Sequence, residues 1–204
     1  MKINIIGAGM GGLSAALALH DAGHDVTVYE GTEKIQPLGV GINLLPHASI
    51  ILQSLGVVDE LLEAGVATRE LSYYNKYGQH IWTEPRGKFG GFSSPQISLR
   101  RGDLQMTLLK HARERLGEDN ILAGHRLKSF RNDGDEAVAV LQRPNGETVE
   151  ARSEILICED GIHSAAREQM YPDQGLPRYS GRVLWRGVTS VSYTHLTLPT
   201  RCLG

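Results

Sequence analysis

At 204 residues, 41% hydrophobic and 22% charged, the chain has the composition of one globular domain or two small ones. Its net charge of -2, with acids and bases mixed along the length, excludes a basic stripe or tail and with it nucleic acid as the main partner. Two cysteines, Cys158 and Cys202, stand in no pairing or metal spacing, so a reducing, cytoplasmic compartment is the expectation.

Residues 3–19 carry no charge and follow Lys2, as a signal peptide would, but Gly7, Gly9, Gly11 and Gly12 interrupt the apolar run. The same glycines argue against a membrane span. Residues 2–6 are predicted as a short buried strand, 7–12 as a turn and 13–21 as an Ala- and Leu-rich helix. With a second strand over 25–30, the pattern is a βαβ unit in about 30 residues. Residues 31–47 form a loop marked by Gly and Pro. Two helices follow, over 48–56 and 58–65, then a hairpin over 70–85 turning at Tyr77-Gly78 and a glycine-rich loop over 86–95.

From Asp103, the predicted N-cap, a helix places Leu104, Leu108, Leu109, Ala112 and Leu116 on one face. Strands are predicted over 120–130, 136–143 and 147–151, the last two joined across Pro144-Asn145-Gly146. An apolar strand then stops at Glu159-Asp160-Gly161, and a helix-like segment closes at Arg167. This order implies an α/β fold: a Rossmann-like parallel sheet with an inserted antiparallel β layer.

Gly7-x-Gly9-x-x-Gly12 follows a strand and opens a helix, and Glu30 ends the next strand 18 residues beyond Gly12. That context is the dinucleotide fingerprint. Gly7 permits the tight turn, Gly9 lets the backbone approach a diphosphate, and Gly12 lets helix and strand pack closely. Met10 and Gly11 complete the turn, and the helix N-terminus offers free N–H groups to phosphates. Glu30 can accept hydrogen bonds from ribose hydroxyls, and its charge disfavours a 2′-phosphate, so FAD or NAD is expected rather than NADP at this turn. The fingerprint does not separate those two.

A simple NAD dehydrogenase would continue with further βα units, whereas here the chain leaves for a loop, helices and a hairpin. Five stretches, GAGMGG, VTVYE, PLGVGINLLPHA, RRGDLQMTLL and DGIHSAAR, carry a resemblance to the N-terminal half of single-component FAD-dependent aromatic hydroxylases, the flavoprotein monooxygenases. WTEPRG, RGDLQM and LWRGVT most resemble the phenazine-carboxylate branch. The resemblance covers about residues 1–190. It implies hydroxylation of an aromatic or heteroaromatic substrate with NADH or NADPH and O2, the chemistry carried by FAD.

The resemblance also implies residue roles. Arg101 would reach the FAD phosphates and ribityl chain with its guanidinium fork, and Gln105, one turn along, would face the same chain. Leu127 would sit by the adenine, and Val40 and Gly41 would approach the flavin. Asp160 is either a turn residue capping a helix at Ile162 or a carboxylate on the FAD ribose, fixed by Arg167. The family usually has small residues where Cys158 and Glu159 stand. Glu159 brings negative charge near the diphosphates, which should weaken either nucleotide.

The expected division is residues 1–70 for FAD-binding βαβ and helices, 71–100 for the start of the substrate-layer hairpin and loop, and 101–178 for the return to the FAD-binding domain. Residues 179–191 would begin a substrate-domain strand, including LWRGVT, and 192–204 resemble read-through rather than native chain. The family's second Gly-Asp motif is not found. Two other functions stay open: an NAD- or FAD-dependent oxidoreductase without oxygen chemistry, and an inactive nucleotide-binding fragment. No catalytic acid or base is assigned. Arg101-Gly102-Asp103 is a helix start rather than an adhesion tripeptide, His20 and His24 lack a completing carboxylate, and no metal site is expected.

Overall fold

The structure, a computed structural model, describes residues 1–37 and 39–186. The first half runs β1 (Lys2–Ile6), α1 (Met10–Asp21), β2 (Asp25–Tyr29), β3 (Gly41–Leu44), α2 (Pro46–Ser54), α3 (Val58–Ala64), β4 (Val66–Ala67), β5 (Glu70–Tyr74) and β6 (His80–Pro85). The second runs β7 (Ile97–Arg100), α4 (Arg101–Leu116), β8 (Ile121–Leu122), β9 (Arg126–Asp133), β10 (Glu136–Gln142), β11 (Thr148–Ser153), β12 (Ile155–Cys158) and α5 (Ala165–Met170). They fall into two compact units. One joins residues 1–37 to Gly102–Arg182, and the other joins Gly39–Arg101 to the described residues from Val183 onward.

The first unit is built on a parallel sheet in the order β12-β1-β2-β8. β1 lies between β12 and β2 with Ile3 through Ile6 all buried, Asn4 among them, so both faces of the strand are covered and Lys2-Ile-Asn-Ile-Ile6 shows no alternation of buried and exposed positions. Ile3, Ile5 and Ile6 are buried, as are Leu13, Ala16 and Leu17 of α1. The predicted face of α4 is realised, with Leu104, Leu108, Leu109, Ala112 and Leu116 all buried. α4 begins at Arg101, directly after β7, so Asp103 lies in its first turn rather than at the N-cap. A carboxylate there still opposes the positive end of the helix.

The strand expected over 120–130 is two strands. β8 pairs in parallel with β2, whereas β9 pairs antiparallel with β10 in a second sheet, β11-β10-β9. The chain changes sheets at Gly124, whose φ of +70° lies in the left-handed region that glycine adopts without strain. The corner is tied by Gly124 N–H donating to Thr32 O at 2.8 Å and His125 N–H donating to Glu30 O at 2.7 Å. α5 packs on β9, where the Gln169 side chain brackets Phe130, accepting from its N–H at 2.9 Å and donating to its carbonyl at 2.6 Å.

In the second unit, β3-β7-β4 form an antiparallel sheet, β5 and β6 the predicted hairpin, and α2 and α3 the predicted helical pair. β3 lies inside the stretch read as loop, because flanking Gly and Pro mask a four-residue strand that β7 completes from a distance in sequence. The hairpin turns through Asn75, whose Oδ1 accepts from Tyr77 N–H at 2.9 Å and Gln79 N–H at 3.0 Å. On the hairpin, Tyr73 and Trp82 stack with ring centroids 6.1 Å apart. Of the predicted LWRGVT strand, Leu184, Trp185 and Arg186 carry no regular structure, and the rest lies outside the described residues together with the tail. Among the described residues no helix is long and apolar enough to cross a membrane.

Candidate functional site: a cleft at the glycine turn

The carboxyl ends of β1, β2 and β12 open onto a cleft of about 530 Å³ within the first unit. Crevices at the carboxyl ends of parallel strands are where such sheets bind ligands. The glycine turn forms its floor. Gly7 has φ +107°, and a Cβ there would stand 2.3 Å from the Glu159 carbonyl oxygen. At Gly12 a Cβ would stand 1.9 Å from the Gly7 carbonyl oxygen and 3.4 Å from Ile5 Cγ2, so helix and strand pack as closely as the motif requires. Gly9 differs: it is extended, it caps α1, and a Cβ would meet nothing within 4 Å. Its missing side chain leaves room on the cleft side, whereas those of Gly7 and Gly12 leave room for the protein itself. Met10 begins α1, and Gly11 faces the Glu159 side chain.

Glu30, at the end of β2, is held on both oxygens. Its Oε2 accepts from Ala8 N–H at 2.8 Å and its Oε1 from Thr32 N–H at 2.8 Å. Each oxygen keeps a further lone pair for a hydroxyl donor. Gln105 reaches the other side of the same turn, its Nε2 donating to Ala8 O at 3.0 Å. Leu127 is buried and lines the cleft. Arg126 and Lys128 line it as well. Sequence reasoning passed over these two cations, because charges alternating along a strand look like a solvated face.

Asp160 takes the capping role expected of it. Its Oδ2 accepts from Ala166 N–H at 3.2 Å, a capping bond to α5, while its Oδ1 is buried with no partner among the described residues. The helix it caps starts at Ala165 rather than Ile162, with Ser164 as N-cap. Arg167 does not fix Asp160: its guanidinium donates to the Ile162 carbonyl, holding the loop backbone. The neighbouring Cys158 thiol is pushed up to about 11, by burial first and then by the negative charges of Asp160 and Glu159.

Val40, Gly41 and Arg101 belong to the second unit. There the Arg101 N–H donates to Val40 O at 2.8 Å, and the Arg101 side chain runs over Gly39, whose absent Cβ would lie 3.2 Å from Arg101 Cδ. Gly41 opens β3, and its carbonyl accepts from the Arg186 guanidinium at 2.5 Å. The structure therefore gathers Gly7, Gly9, Met10, Gly11, Gly12, Glu30, Gln105, Leu127 and Asp160 around one turn, and Val40, Gly41 and Arg101 around another.

The chain is 43% identical over 192 residues to phenazine 1,6-dicarboxylic acid hydroxylase PhzS of Lysobacter antibioticus, covering 93% of this chain and 47% of that protein. It is 32% identical over 193 residues to aurachin C monooxygenase/isomerase of Stigmatella aurantiaca, covering 94% of this chain and 48% of that protein. Among solved structures it is similar to Klebsiella pneumoniae HpxO complexed with FAD and uric acid, with 28% identity and a TM-score of 0.68 over 83% of this chain and 41% of that one. The chain thus spans about half the length of the curated relatives it matches. The FAD binding domain family matches residues 1–192, and the chain belongs to that family.

Proposed function

We propose that the chain is the FAD-binding part of a flavin-dependent monooxygenase that hydroxylates an aromatic or heteroaromatic substrate with NADH or NADPH and O2. The observation that carries the proposal is the convergence on one cleft of an open glycine, a carboxylate held by two backbone N–H groups and a buried carboxylate oxygen that lacks a partner among the described residues. A buried acceptor without a donor is costly, and a ribose or ribityl hydroxyl would supply one to Asp160 Oδ1. PhzS, a hydroxylase by name, and the FAD-bound HpxO support the choice of FAD over NAD.

In this proposal each residue has a mechanical task. Gly9 admits the diphosphate to the N-terminus of α1, where free N–H groups and the helix dipole favour negative charge. Glu30 accepts from the adenosine ribose and turns away a 2′-phosphate. Leu127 covers the adenine. Gln105 holds the turn through Ala8 and orients the ribityl side, and Val40, Gly41 and Arg101 serve the flavin half. Bound FAD supplies the redox and oxygen chemistry, and these residues bind and orient it. No side chain is assigned as a general acid or base. The two cysteines, in no pairing or metal spacing, support a cytoplasmic setting.

Binding is expected of this chain, and turnover of the longer protein. The test joins residues 1–190 to the remaining length of a relative, then measures flavin absorbance and substrate-stimulated NAD(P)H oxidation. A yellow protein whose NAD(P)H consumption rises with an aromatic acid is the expected result. A well-folded, colourless product would overturn the proposal, and a yellow one that consumes NAD(P)H without hydroxylating would leave an oxidoreductase without oxygen chemistry.

A further inference from the structure

We propose that Glu159 sets the affinity of the cleft for diphosphate-bearing ligands, by holding a carboxylate over the turn of α1 that such a ligand must approach. The inference rests on the dinucleotide reading of the cleft, but not on which dinucleotide binds.

The backbone at Glu159 has no freedom to withdraw. Its N–H donates to Ile6 O at 2.7 Å, continuing the β1–β12 pairing, and its carbonyl packs against Gly7 so closely that a Cβ there would be 2.3 Å away. From that fixed point the side chain reaches the first turn of α1. Its Oε2 lies 2.6 Å, and its Cδ 3.2 Å, from where a Gly11 Cβ would be. Only the absence of a side chain at Gly11 makes room for it. α1 has no acidic residue of its own in the first turn and no side-chain cap, so Glu159 brings the negative charge to that helix end.

A carboxylate near a helix N-terminus is favourable for the protein without a ligand. A diphosphate at the open Gly9 would seek the same N–H groups and the same dipole. With both in place, two negative groups share one helix end inside a cleft, where their repulsion is larger than in bulk water. Arg126 and Lys128 also line the cleft, but the glycine turn itself carries no cation. Glu159 therefore acts against phosphate rather than against adenosine. The ligand must displace its carboxylate toward solvent or tolerate the repulsion. Asp160, the adjacent acid, differs in kind, because one of its oxygens is bonded to α5 and the other is buried.

The test compares the chain with Glu159→Gln, which keeps size and removes charge at an exposed side chain, using calorimetric titration with ADP and with adenosine. Glu159→Gln is expected to tighten ADP about five- to fiftyfold, to leave adenosine within about twofold, and to lose most of its advantage at about 1 M salt, where screening acts over about 3 Å. Unchanged ADP affinity, or an equal gain for adenosine, would overturn the assignment. A parallel flavin-fluorescence titration separates this idea from the proposed function. A gain for ADP with no FAD binding by either protein keeps the role of Glu159 and removes the flavin reading. FAD binding by both proteins with equal affinity removes the role of Glu159 and keeps the flavin reading.

Discussion

The two walls of the cleft both carry carboxylates, in opposite states. At the end of β2, Glu30 is bound on both oxygens by backbone N–H groups at 2.8 Å, so the wall is complete before any ligand arrives. At the end of β12, Asp160 keeps one buried oxygen without a partner among the described residues, and Glu159 reaches across to the first turn of α1. The first wall is a structural tie that a ribose can also use. The second holds unsatisfied polarity at Asp160 and negative charge at Glu159, which in the proposed function a ligand would complete or displace. The same kind of group is thus tied to the backbone on one side and left partly unpartnered on the other.

Mutations can break that contrast, and the largest effect should come from the floor both walls share. Gly12→Ala drives a Cβ to 1.9 Å from a backbone carbonyl that cannot swing aside, and should cost about 3 kcal/mol or more in chemical denaturation. Glu30→Ala strands two backbone donors and should cost about 1–3 kcal/mol in the same assay. Asp160→Ala removes one bond to α5 and relieves an orphaned oxygen, so its stability change should stay within about 1 kcal/mol. Its FAD affinity, read by flavin fluorescence, should nevertheless fall about tenfold, the value of one lost hydrogen bond to a charged group. Were Asp160→Ala to destabilise as much as Glu30→Ala, the contrast between the walls would be gone. Gly9→Ala should keep stability within about 1 kcal/mol, because a Cβ meets no protein atom there, while still weakening diphosphate binding.

The smallest expected effect sharpens the charge of the second wall. With its thiol at about 11, Cys158 is almost wholly protonated at pH 7.5 and should alkylate slowly with iodoacetamide, as read by peptide mass spectrometry. Neutralising Glu159 and Asp160 together removes two of the causes of that shift, so labelling should then accelerate at lower pH. The thiol loses its proton more readily in the unfolded chain than in the folded one. Its contribution to stability is therefore intact below the ordinary thiol range and lost as pH rises through about 11, and Cys158→Ser should flatten that alkaline decline.

Much of the site was legible because the glycine fingerprint states local requirements. A positive φ at Gly7, a close approach at Gly12 and an acid ending β2 are needs of the chain within about 30 residues, and spacing records them. The buried face of α4 was legible for the same reason, since periodicity is local. The break between β8 and β9 was not legible, because nothing near Gly124 says that the two strands serve different sheets. β3 was hidden likewise, its four residues becoming a strand only through β7. The family resemblance set Arg167 on Asp160, but the loop between them turns its guanidinium to the Ile162 carbonyl.

Sequence by itself determined the βαβ unit, the glycine turn and the acid at its end, because each follows from backbone sterics and side-chain period. Tertiary structure decided where Asp160 and Glu159 stand. The pairing of β12 beside β1 brings residues more than 140 positions away onto the glycine turn, and only that placement leaves one carboxylate oxygen unpartnered and sets the other acid over the helix end.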